Sequence, residues 1–296
     1  MQRLVYILVY PILWIVSRFP MWLLYFSSDC LFVLIYHIIG YRKKTVKENL
    51  RLVFSEKSSE EINHISRKFY HHLCDMVLET VKSISISEEE LLKRFKPTNI
   101  EVVHAIEKKK KDVALMLAHY GSWEWIFILQ RYVDYKGYAI YKRLANKYFD
   151  KMVKKIRAKY NTELITTKEA ISKIRAAKLN KELTLNGFVS DQNPKHHKAL
   201  HWKEFMGIKV PIHTGAEITA KKYDMAVIFV KVKKVKRGFY EATFEVITEN
   251  PKEYENYEIT DKFLTLVEEQ IYEAPEYYLW THKRWKHRDN VPDNFK

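Results

Sequence analysis

Two apolar runs open the chain. Residues 4–16 (LVYILVYPILWIV) are apolar apart from their tyrosines, and Phe19 to Ile39 carries Asp29 as its one formal charge. A membrane span takes about 20 apolar residues, a length the second run approaches and the first does not. No small-residue cleavage site follows a short apolar run, so a removable signal is not expected. The pair reads as an anchor, either one span or a shallow hairpin, with Pro11 and Pro20 as break points. A buried helical hairpin of a soluble protein is the alternative. Tyr41-Arg42-Lys43-Lys44, Lys47 and Arg51 follow at once. Positive charge there should keep the following body on the cytoplasmic face, against anionic headgroups. The expected organisation is therefore an anchor over 1–41 and one domain over 42–296.

Beyond the anchor, Ser58-Ser59-Glu60-Glu61 has the form of a capping box. Ile62, Ile65, Phe69, Leu73, Met76 and Val77 follow at helical spacing and predict an amphipathic helix ending before Ser83. His71, His72 and Asp75 on that helix are expected to be polar surface rather than a metal site. From residue 100 the pattern changes. A helix over 100–111 precedes the strand-length run Val113–Ala118, then come a helix over 123–132 and a strand over 138–141. A helix over 148–160, a strand near Leu164, a helix over 168–177 and a strand over 183–189 continue the series. Strands alternating with helices of this length predict a sheet with parallel pairs. Met225–Lys233 and Phe239–Ile247 flank Arg237-Gly238 and predict an antiparallel hairpin, and a helix over 260–273 closes the chain. The expected fold class is α/β, a mixed, partly parallel sheet flanked by helices behind an apolar helical membrane anchor.

Composition narrows the partners. The chain has 296 residues, and 51 Lys and Arg against 36 Asp and Glu give a formal net charge of +15, which favours an anionic partner such as a phospholipid surface, nucleic acid or an acidic carrier protein. No zinc-finger spacing, stacking motif or helix-turn-helix pattern supports nucleic acid, and there is no phosphate loop or dinucleotide fingerprint. No cofactor or metal is expected. Cys30 and Cys74 are too few for a disulfide framework. The Lys108–Lys111 run fits a helix C-terminus, where cations are favoured.

The chemistry concentrates in Ala118-His119-Tyr120-Gly121-Ser122-Trp123-Glu124-Trp125. A histidine at the C-terminal end of a buried strand stands where α/β sheets bind ligands. Gly121 permits a sharp turn, Ser122 is a candidate helix N-cap, and Glu124 in the first turn is placed to fold back on His119. A carboxylate on one imidazole nitrogen fixes the tautomer and leaves the other to take a proton from an attacking hydroxyl. Backbone N–H groups at the helix start could stabilise an oxyanion.

The chain resembles the bacterial lipid A late (lauroyl/myristoyl) acyltransferases, within the broader lysophospholipid acyltransferases. The resemblance starts at the apolar N-terminus and Tyr41–Leu50. His119 and Glu124 match the family's H-x4-D/E. Tyr141-Lys142-Arg143 with Asn146 and Asp150 resembles its YRP…N…D segment, with Lys142-Arg143 departing from the usual Arg-Pro, and Arg157 matches a basic position beyond. Gly187–Gln192 resembles its second strand-end motif. Thr214-Gly215-Ala216 matches a small-residue turn into a helix, and Ala274–Lys286 resembles its ending, where Trp280, His282, Arg284 and Trp285 are expected to pack and cap the fold. The resemblance implies an inner-membrane enzyme whose catalytic domain is cytoplasmic. Such an enzyme moves an acyl chain from an acyl carrier protein or coenzyme A thioester to a hydroxyl of a lipid A precursor. His119 would be the base and Glu124 its orienting carboxylate. Lys142, Arg143, Arg157, Asp191 and Gln192 would bind substrate. Another glycolipid, a lysophospholipid or an aminolipid are alternative acceptors, and a non-catalytic basic membrane-surface protein is the competing class.

Overall fold

The computed structural model describes residues 1–295. Helix α1 (Gln2–Ser17) runs through Pro11 without breaking, so only Pro20, just before α2 (Met21–Phe32), acts as a break point. The helix continues from α2 as a π-helix over Val33–Ile39 and stops at Gly40 in a left-handed conformation. Met21–Ile39 is the one stretch among the described residues that is long and apolar enough to cross a membrane. Leu4, Ile7, Leu8, Ile12, Trp22, Phe26 and Ile38 are exposed on these two helices. Exposed apolar side chains in this number are a feature of membrane or partner surfaces.

Helix α3 (Lys43–Val53) leads to α4 (Ser59–Lys82), whose Ser58 and Glu61 form the predicted capping box and which ends where the polar stretch begins. The side of α4 expected to be solvated is not. His72 and Asp75 are each 3% exposed, and Glu79 is fully buried. The reason is that α4 lies between α2 and a basic hairpin. Asp75 accepts from Ser28 of α2 (2.8 Å), Lys234 (3.2 Å) and Arg237 (2.6 Å), while Glu79 accepts from Tyr25 (2.9 Å) and Tyr240 (2.9 Å). Burial outweighs the other influences on Glu79 and pushes its carboxyl up to about 7. His71, half-buried, stacks on Phe32.

Helix α5 (Glu88–Arg94), β1 (Phe95–Pro97) and α6 (Glu101–Lys108) lead into β2 (Val113–Leu117). Then follow β3 (Lys136–Tyr141), α7 (Lys147–Arg157), β4 (Thr162–Thr166), α8 (Thr167–Leu179) and β5 (Thr184–Val189). Strands β6 (Trp202–Phe205) and β7 (Ile208–Pro211) form a small separate hairpin. Helix α9 (Gly215–Tyr223), β8 (Ala226–Lys236), β9 (Phe239–Thr248) and α10 (Glu258–Glu273) complete the order. The main sheet has seven strands in the order β1-β9-β8-β2-β5-β3-β4. All its pairings are parallel except β8 with β9. The expected mixed sheet with flanking helices is what forms.

Strand β2 is central and buried along its whole length. Ala114 and Met116 point into one core with α3, α4, α9 and α10, while Val113, Leu115 and Leu117 point into another with α5 and α6. A strand covered on both faces reads as a continuous apolar run, and that is why Val113–Leu117 is legible in the sequence.

Candidate active site

Beyond β2 the chain runs through His119 into Gly121, which adopts φ +60°. A Cβ there would lie 2.9 Å from Val232 Cγ1, so the turn needs glycine for both its conformation and its space. The segment after the turn is a 3-10 helix over Trp125–Tyr132 rather than an α-helix, and Ser122 Oγ is buried with no partner among the described residues instead of capping it.

Parallel pairing of β2 with β5 sets Leu117 opposite Val189. His119 and Asp191, each two residues further on, come together beyond the strand ends, with Nδ1 of His119 2.7 Å from Oδ1 of Asp191. Asp191 is 1% exposed. Burial alone would raise its carboxyl, but the charge and hydrogen bond of His119 and backbone N–H groups outweigh that, and it lies below the usual carboxylate range. An ionised carboxylate only accepts, so Nδ1 carries a proton, and in the neutral form of the ring Nε2 keeps the lone pair. The ring also meets Trp123 edge to face at 5.4 Å.

The carboxylate expected on His119 is elsewhere. Glu124 is gripped by Arg157 of α7, from Nε at 3.0 Å and from Nη2. The cause is local. The Gly121 turn carries Glu124 toward α7, and a guanidinium fork matches a carboxylate with two parallel bonds. Asp191, expected among the substrate-binding residues, lies behind His119 and does not line the cavity. His119, Glu124, Lys142, Arg143, Arg157 and Gln192 do line it, in one space of about 1580 Å³. Arg143 is paired with Glu169 at 3.0 Å. Leu115, Leu117, Leu129, Val133 and Val103 line the same cavity and give it an apolar wall. Of the C-terminal group, Trp280, Arg284 and Trp285 are fully buried as expected. His282 instead joins the cavity wall, as does His213, which composition and spacing did not single out. No cluster of metal-ligating side chains occurs among the described residues.

A strand-end imidazole backed by a buried carboxylate, facing a cavity walled by both apolar and cationic side chains, has the chemistry to deprotonate a hydroxyl beside a bound hydrocarbon chain. Acyl transfer is one use of such an arrangement. The family model for bacterial lipid A biosynthesis acyltransferase matches residues 1–287, and the chain belongs to that family and is an acyltransferase. No curated protein matched the chain.

Proposed function

We propose that the enzyme transfers a fatty acyl chain from an acyl carrier protein or coenzyme A thioester to a hydroxyl of a lipid A precursor. The reaction takes place at the cytoplasmic face of the bacterial inner membrane. Residues 1–41 anchor the chain and 42–296 form the catalytic domain. The observation that carries this reading is the His119–Asp191 pair beside a cavity of about 1580 Å³ with an apolar wall.

In this mechanism His119 Nε2 takes the proton of the acceptor hydroxyl as its oxygen attacks the thioester carbonyl. Asp191 holds the ring in the required tautomer and stabilises the imidazolium. The imidazolium then returns the proton to the departing thiolate. No Ser or Cys need act as nucleophile. Glu124 serves through Arg157, fixing that cation at the rim, where Arg157, Lys142 and Gln192 engage the polar part of a substrate by charge-assisted and neutral hydrogen bonds. The acyl chain lies against the wall formed by Leu115, Leu117 and Leu129.

Acylation of another glycolipid, a lysophospholipid or an aminolipid is the second reading. Lys142-Arg143 favours it, because Arg143 is engaged with Glu169 and presents a different rim from an Arg-Pro pair. Mass spectrometry of lipid A from a deletion strain, complemented by wild type or His119→Ala, tests both. A secondary acyl chain that is lost and returns only with wild type supports the first reading. Unchanged lipid A with an accumulating lysolipid or aminolipid refutes it in favour of the second.

A further inference from the structure

Acyl transfer assigns parts to His119 and Asp191 and leaves a second imidazole in the same cavity without one. His282 lines the wall with His119 and Gln192. Its backbone is tied to the site on both sides. Leu279 N–H donates to the His119 carbonyl at 3.1 Å, His282 N–H turns back to Leu279 at 3.3 Å, and Asn49 Nδ2 donates to the His282 carbonyl at 2.9 Å. The ring is different. Its Nδ1 is buried without a hydrogen-bond partner among the described residues, and the residue lines the cavity. An orphaned buried N–H is rarer than an orphaned acceptor, which places the neutral ring's proton on Nε2. His213, the other imidazole in the wall, is already engaged with the backbone of Asn193.

The electrostatics fix what such a ring can do. Burial first, and then Arg284, His119 and Lys286 against the opposing pull of Asp191, push its pKa down to about 4. Near neutral pH the ring is uncharged and carries one N–H. It is too weak a base to compete for a hydroxyl proton, yet it is a competent donor to an atom gaining negative charge. The turn after β2 offers fewer such donors than its sequence suggests. Tyr120 N–H is taken by Ala118 at 2.8 Å, Gly121 N–H by Tyr277 at 3.0 Å, and Trp125 N–H by Ser122 at 3.3 Å.

Building on the acyl-transfer reading, we infer that His282 is a catalytic residue whose Nε2–H donates to the thioester carbonyl oxygen as it becomes an oxyanion. The acceptor oxygen forms the new C–O bond while its proton passes to His119. The carbonyl electron pair moves onto the oxygen facing His282. Collapse restores the carbonyl, breaks the C–S bond and lets His119 return the proton to sulfur. His282 neither gains nor loses a proton.

The test compares full-length wild type, His282→Ala and His282→Gln in detergent, with a radiolabelled acyl carrier protein thioester and an acylated disaccharide precursor of lipid A. Loss of one oxyanion donor lowers kcat about 10²–10³-fold, with KM and thermal unfolding close to wild type. Gln places an amide N–H near the position of Nε2 and should recover about tenfold over Ala, with the pH profile unchanged in shape. A His282→Ala kcat within about threefold of wild type overturns the inference. So does a lost limb of the pH profile, or a fall in unfolding temperature that tracks activity without rescue by Gln. Each of these leaves wild-type turnover and its dependence on His119 intact, whereas failure of acyl transfer itself would show as a wild type no more active than His119→Ala.

Discussion

Replacing Asp191 by asparagine separates the two carboxylates near His119. Asp191 is buried and accepts from Nδ1 at 2.7 Å. An asparagine amide turned toward Nδ1 would donate to it, moving the ring proton to Nε2 and removing the base from the hydroxyl. General-base catalysis contributes roughly 10²–10⁴-fold, or about 2.7–5.5 kcal/mol of barrier, and Asp191→Asn should lose most of it in kcat. Glu124→Gln leaves the imidazole alone and weakens the grip on Arg157, so its loss should be about tenfold and fall mainly on KM for the anionic substrate. The assay is steady-state acyl transfer at saturating donor, with thermal unfolding of each variant as a control for folding. If Asp191→Asn keeps near-wild-type kcat while Glu124→Gln abolishes it, Glu124 swings onto His119 during turnover, and the base-and-orienter assignment here is refuted.

Asp75→Ala would strand Lys234, 9% exposed, while Arg237 keeps its pair with Asp29, a loss of about 3–5 kcal/mol for a broken buried pair; denaturant titration in detergent checks it, and an unchanged midpoint contradicts it. Glu79, with its carboxyl raised to about 7, favours the protonated form in the folded state, so its contribution falls as pH rises from the ordinary carboxylate range through 7. Unfolding followed between pH 5 and 8 should show wild type losing stability relative to Glu79→Gln, and parallel curves would contradict this. Gly121→Ala forces a Cβ against Val232 at a left-handed φ, and acyl-transfer rates should drop at least tenfold with measurable destabilisation; full activity would show that the turn tolerates a side chain.

The fold is legible where a strand is covered on both faces, a helix carries a capping box or a hairpin has its turn. Val113–Leu117, the Ser58/Glu61 box and the β8–β9 hairpin all announce themselves in short windows. What hides is whatever depends on a distant element. Nothing local tells that the polar side of α4 will meet Lys234 and Arg237, so His72 and Asp75 read as surface, yet both are buried, and Asp75 with Glu79 forms the join between α2, α4 and the hairpin. The four-residue strands β6 and β7 are too short for a periodic signal, although Met206-Gly207, both at positive φ, is the turn a tight hairpin requires.

The site follows the same logic. Spacing along the chain makes Glu124 the nearest carboxylate to His119, five residues on, and spacing is all that a motif records. Proximity in a parallel sheet follows register instead. Leu117 and Val189 are Cα partners 72 positions apart, and His119 and Asp191 are also 72 apart, each two residues past its strand end. Two polar residues at equal offsets beyond neighbouring parallel strands meet at the C-terminal edge of the sheet, where such folds bind ligands. Both strands were recognisable, so their adjacency was the missing fact. Register also explains the division of labour. The residue reached across the sheet backs the imidazole from the buried side, while Glu124, carried outward by the Gly121 turn, is free to anchor Arg157 at the rim.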